Sequence, residues 1–132
     1  MGKNEELQKE LFDKVNELQQ LIESNERDGR RIRGWVNFDG TQATSFDKIK
    51  DSYNVSSVTD NGVGDHIITW DEAFADANYC VVANARVDIG VFVAVVGIAA
   101  IAAGNVEINV VASSDQSAQD STYVMVMATG DR

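Results

Sequence analysis

The hydrophobic positions follow two different periods, and the change falls near residue 34. Between residues 3 and 28, Leu7, Leu11, Val15, Leu18 and Ile22 recur at spacings of four, four, three and four. That is the stripe of a helix facing a partner. With Leu11 and Leu18 at heptad position d, Val15 and Ile22 occupy a, and Asn25, Gly29 and Ile32 fall at the next d, a and d. β-Branched a with Leu at d favours two strands, whereas Leu7 and Leu21 at g widen the apolar face toward three. The expectation is a coiled-coil stalk over residues 1–33, trimerising through Leu7, Leu11, Val15, Leu18 and Ile22. A helix of this size is marginal alone in water, so it needs self-association or docking on the rest of the chain. Asp28-Gly29 supplies its C-terminal stop. Arg27, Arg30, Arg31 and Arg33 complement the negative end of its dipole, which accounts for this basic cluster more simply than an anion site does.

From Trp35 onward the period becomes two. Val106, Ile108 and Val110 alternate with Glu107 and Asn109, as in a half-buried strand. Tyr79, Val81 and Ala83 alternate with Cys80 and Val82, and Tyr123, Met125 and Met127 alternate with Val124 and Val126. Both faces of these two runs are apolar, so the strands are expected to be covered on both sides. His66, Ile68 and Trp70 share a face, and the phase slip between Val55 and Val58 predicts a bulge near Ser56-Ser57. Thr44 to Asp51 reads as a short helix or turn. Asp39-Gly40, Asp60-Asn61-Gly62, Gly64-Asp65, Gly104-Asn105 and Ser113-Ser114-Asp115 mark chain reversals. Short strands at this spacing predict an antiparallel β-sandwich over residues 34–132, so the fold class is mainly β.

Charge sharpens the division. Of 21 acidic residues, eight lie in residues 1–33 beside seven of the 11 cations; the remaining 13 face only Lys48, Lys50, Arg86 and Arg132. An acidic head repels phosphate backbones, which argues against nucleic acid as a partner. The 132 residues include no proline, so Gly, Asn, Asp and Ser must make the turns. Cys80 is the sole cysteine, which excludes an internal disulfide, and its apolar setting reads as a small buried hydrophobe. The charged N-terminus is not that of a signal peptide. The uncharged run Ile89 to Ala103 is shorter than the ~18–20 residues that span a bilayer, so no membrane insertion is expected. Its centre, Val91, Phe92, Val93 and Val95, has two uses: burial within one sandwich, or a head interface between subunits.

A further pattern lies in the order of particular residues. Trp35-Val36-Asn37-Phe38-Asp39-Gly40 is followed by Tyr53-Asn54-Val55-Ser56-Ser57-Val58-Thr59-Asp60-Asn61-Gly62, then Gly64-Asp65-His66 and Asp76-Ala77-Asn78-Tyr79. This block, with the closing stretch Asp120 to Gly130, resembles the C-terminal receptor-binding tip domain of tailed-bacteriophage tail fibre proteins. The resemblance covers most of the last hundred residues, and the first block is its specific part. It implies a β-sandwich-like tip, a homotrimer, a place in the virion and adhesion to a host surface glycan or protein. Residues 89–103 depart from the family pattern, which carries polar, variable loops there. No virion-attachment domain precedes the stalk, so two organisations fit: part of a longer fibre, or a small virion protein whose first helix contacts other virion proteins. The second admits a capsid-decoration or tail-assembly trimer that binds no receptor.

Catalytic equipment is sparse. One histidine and one cysteine leave little for a base or nucleophile, and no Gly-x-Ser-x-Gly elbow accompanies Asp65-His66. Asp71-Glu72 supplies the two acids that glycoside hydrolysis needs, but adjacent residues on a strand point to opposite faces. Asp60 to Asp65 has the composition of half a calcium loop and lacks the closing bidentate acid. Gly62-Val63-Gly64 is not a nucleotide loop. The expectation is therefore no enzyme, no metal and no cofactor. Receptor contacts are expected on loops at the distal end: the Asp60–Asp65 turn, the Asp71–Asn78 segment and the Ser113–Asp120 loop. Trp35, Tyr53 and Trp70 read as core rather than as sugar-stacking platforms. No single receptor-binding residue emerges.

Overall fold

A computed structural model describes residues 2–27, 31–86 and 94–132. Helix α1 spans Gly2–Arg27, and a mainly β head follows. Its strands are β1 (Ile32–Phe38), β2 (Ile49–Tyr53), β3 (Val55–Gly62), β4 (Asp65–Trp70), β5 (Cys80–Ala85), β6 (Ala94–Ala102), β7 (Asn105–Ala112) and β8 (Val124–Thr129). Among the described residues they form two four-stranded antiparallel sheets, ordered β2-β1-β8-β5 and β3-β4-β7-β6. A single turn of helix, α2 (Ser45–Lys48), leads into β2 and is capped by the Thr44 hydroxyl. The expected bulge is present, as the β3–β4 register shifts between Val55 and Ser57.

The two sheets pack face to face through one side chain in two along each strand. Val36 and Phe38 of β1, with Val124, Val126 and Ala128 of β8, meet Ile68 of β4 and Val106, Ile108 and Val110 of β7. Each fully buried Val, Ile or Phe contributes about 1.5–3 kcal/mol against exposure. His66, Ile68 and Trp70 face inward together as their alternation predicts.

One end of this core is aromatic. Phe74 stacks on Tyr79 at 4.0 Å between ring centroids, and Trp70 meets both edge-on. The Trp70 indole N–H donates to the Tyr79 hydroxyl at 3.0 Å. That hydroxyl lies 2.8 and 2.9 Å from the Ala102 and Asn105 carbonyls and donates its proton there. Two glycines make room for the rings. A Cβ on Gly34 would sit 2.7 Å from the Trp70 ring, and one on Gly130 would sit 2.5 Å from Tyr79 Cβ.

Cys80 is exposed, contrary to the sequence expectation. Tyr79 occupies the inward position, so Cys80 must point outward along the pleat. Strands β5 and β8 are likewise covered on one face only in a single chain: Val82, Met125 and Met127 are exposed on the other. Apolar character on both faces was therefore not a sign of cover within one subunit.

Substituting Gly34→Ala should lower the thermal midpoint, because Trp70 has nowhere to retreat. Overpacking of this kind costs about 1–3 kcal/mol, or several degrees at ~4–8 °C per kcal/mol for a head of this size. Gly97→Ala on β6 has open space around the new methyl and should leave the midpoint unchanged or slightly higher. Calorimetry of the two variants beside the parent chain measures the difference.

Candidate functional site

The loops gather at two ends. Strand β1 starts beside the helix, and its last residue, Phe38, lies at the far end of the head. There the Gly64 N–H donates to Asp120 Oδ1 at 2.8 Å, the Val110 N–H to the Gly64 carbonyl at 2.7 Å, and the Gly40 N–H to the Ser121 carbonyl at 2.7 Å. The Asp60–Asp65 turn and the Ser113–Asp120 loop thus share an apex with residues Asp39 to Lys48. The Asp71–Asn78 segment does not join them. Asn54 explains why: its backbone is left-handed, with φ of 58°, and its side chain bonds the Arg33 carbonyl and both backbone groups of Glu72. That staple holds the Asp71–Asn78 segment at the helix-proximal end.

Beneath the apex lies a buried polar cluster. The Lys48 ammonium, fully buried, donates to the Gly40 carbonyl at 3.2 Å and lies 3.8 Å from Asp60 Oδ2. His66, also fully buried, packs edge-on against Phe38 at 5.1 Å. Among the described residues neither imidazole nitrogen has a hydrogen-bond partner. Asp120 is 3.9 Å from Nε2, outside bonding distance, and the same oxygen accepts from the Gly64 N–H. Burial holds the imidazole below its ordinary pKa and the nearby Lys48 charge adds to this, opposed by Asp120, Asp60 and Asp65. The ring is sequestered from solvent and lies near a buried cation.

The remaining acidic candidates are also dispersed. Glu72 pairs with Arg132 at 3.0 Å at the opposite end from Asp60 and Asp65. Glu107 and Asp65 are close enough to raise the Glu107 pKa through their shared hydrogen bond and like charge. Among the described residues no group of three or more His, Cys, Asp or Glu is placed to hold a metal ion.

The helix and the outer sheet faces carry the exposed apolar surface. Leu7, Leu11, Val15, Leu18 and Ile22 lie along α1 with more than half of their surface open, 63% for Leu7 and 58% for Ile22. Arg33, itself buried in the head, donates to the Asn25 carbonyl near the helix C-terminus, so it satisfies one of the free carbonyls there. On the head, Val91, Phe92 and Val93 lie outside the described residues. Val95 is exposed on edge strand β6, where Ala94 and Val96 turn inward to the core. Trp70 is core, Trp35 is half-buried and Tyr53 is exposed.

Two features escaped the sequence reading. Lys48 looked like a turn residue, although a lone cation between two loops of an acidic head was a clue. The second is the outer face of the β2-β1-β8-β5 sheet, where a groove of about 550 Å³ is lined by Ile32, Trp35, Asn37, Val82, Met125 and Met127. Its sequence signal was the doubled apolar pattern of β5 and β8.

His66 makes the fold acid-sensitive. The unfolded chain takes up a proton near pH 6.5, which folded His66 resists, so stability is highest above that value and falls as pH drops below it. The chemical-denaturation midpoint should decline as pH falls below 6.5, and His66→Leu should flatten that decline. No family model, curated protein or solved structure matches this chain.

Proposed function

We propose that the chain is the tip of a bacteriophage tail fibre, a homotrimer that holds three copies of the β head on a helical stalk for adhesion to a host surface. One observation carries the reading: the heptad stripe of α1 is exposed along its length in the single chain, while its a and d residues are those of a self-associating helix. An amphipathic helix draws most of its stability in water from packing that face. The resemblance of Trp35 to Tyr79 to fibre tips supplies the biological setting, and the two-sheet head agrees with the fold it implies.

The mechanism is avidity rather than catalysis. A shallow contact on one head binds weakly. Three heads on one axis raise the effective concentration of the second and third contacts, with gains of about 10²–10⁴ where the geometry fits. The apex formed by Asp39–Lys48, Asp60–Asp65 and Ser113–Asp120 lies away from the stalk, and it is the part of the head this reading assigns to the host surface. Its main-chain ties keep it ordered before contact, so little freedom is lost on binding. The reading includes neither catalysis nor a cofactor, and it places the protein in the virion.

Light scattering at micromolar concentration should give the mass of three chains, and Leu11→Lys with Leu18→Lys should reduce it to one, since charges at d positions cannot be buried in a seam. The purified chain should bind intact host cells and compete with phage adsorption. Binding to empty virus particles and not to cells would assign it to virion structure instead.

A further inference from the structure

The outer face of the β2-β1-β8-β5 sheet is ordered by strand register. Tyr53, Trp35, Met127 and Val82 form one row across the four strands, and Asp51, Asn37, Met125 and Asn84 form the next. Seven of these eight side chains are uncharged, and the one acid, Asp51, is on the edge strand. Val82 is 60% exposed and Met127 46% in the single chain. Such a surface is unusual on a protein with a net charge of −10. It is the kind of patch that marks an interface.

We propose that this face is where the heads of neighbouring copies of this chain pack against one another. Two observations select a second copy as the occupant. Copies with this charge repel one another wherever their acids meet, and the middle of this face carries no acid. The face is continuous with the stalk: Ile32, at the start of β1 and five residues beyond the last residue of α1, lines the same groove as Trp35 and Met127.

The inference rests on the trimeric reading above but fixes something that reading leaves open. It places the subunit contact of the heads on β1, β8 and β5 rather than on β6. Around a threefold axis each face meets two others, so a single added charge is introduced three times.

Cys80 is a native reporter, because it stands beside Val82 on the same strand face. In the unmodified full chain, a bulky maleimide should label Cys80 at least about tenfold more slowly than in the Leu11→Lys, Leu18→Lys variant at high dilution, the ratio expected for a site covered in the assembly. Val82→Glu with Met127→Glu, tolerated in a lone head because both positions are solvated there, should raise the concentration of half-dissociation by about tenfold or more and release Cys80. Ile98→Glu on β6 should change neither. A three-chain mass with fast Cys80 labelling, or with undiminished affinity in the doubly charged variant, overturns the face assignment and leaves the trimer standing. A one-chain mass for the parent protein overturns both. The labelling arm needs no substitution in the head, so misfolding of a charged variant does not decide the matter.

Discussion

The head depends on a phenol that serves both sheets at once. Tyr79 immediately precedes β5 of one sheet, and its hydroxyl reaches the carbonyls on either side of the β6–β7 turn in the other. Because it also accepts from the Trp70 indole, it gathers polar groups that burial would otherwise leave without partners. Burial raises its pKa above the ordinary value, so it stays a donor across the physiological range. The rings pack tightly only because Gly34 and Gly130 present bare backbone to them. Aromatic stacking, hydrogen bonding and backbone proximity thus coincide at the end of the head where the helix joins.

The opposite end uses other means. Its loops are joined by main-chain hydrogen bonds and by the sequestered Lys48, whose positive charge offsets part of the acidity crowded there. Charged burial is costly, and a carbonyl plus one carboxylate is a thin return for it. What the arrangement provides is fixed geometry: β2, α2 and the β3 turn cannot shift independently while Lys48 links Gly40 to Asp60. The two ends therefore differ in chemistry, aromatic near the helix and polar at the apex.

Much of this was legible in the residues. Period two located β4, β5, β7 and β8, and the inward phase of His66, Ile68 and Trp70 followed directly from alternation; β2 lay partly in a segment that reads as helix or turn, and β6 in an apolar run without alternation. Alternation alone could not say which phase of a doubly apolar strand faces the core, and so Cys80 was misplaced. Side-chain volume decides that: Tyr79 fills the gap beside Trp70, and the smaller thiol is left outside. The grouping of loops was also hidden, because it depends on Asn54 adopting a left-handed backbone 18 residues before its partner Glu72. Nor does a heptad stripe reveal its partner. It shows that α1 has a face to bury, and the second copy is supplied by proposal.

The main-chain ties at the apex have a bearing on how this surface can change over generations. Gly64, Val110, Gly40 and Ser121 are joined there through amides and carbonyls, so part of the frame does not depend on which side chains stand outside it. Thr41 and Asn61 add side-chain bonds of their own, to Asp39 and to Asp65 and Glu107. Gly64 is fixed most strictly: its φ of +66° and a Cβ position 2.4 Å from the Val110 carbonyl leave no room for a side chain. Outward positions that make no such bonds can therefore change around a few immovable points.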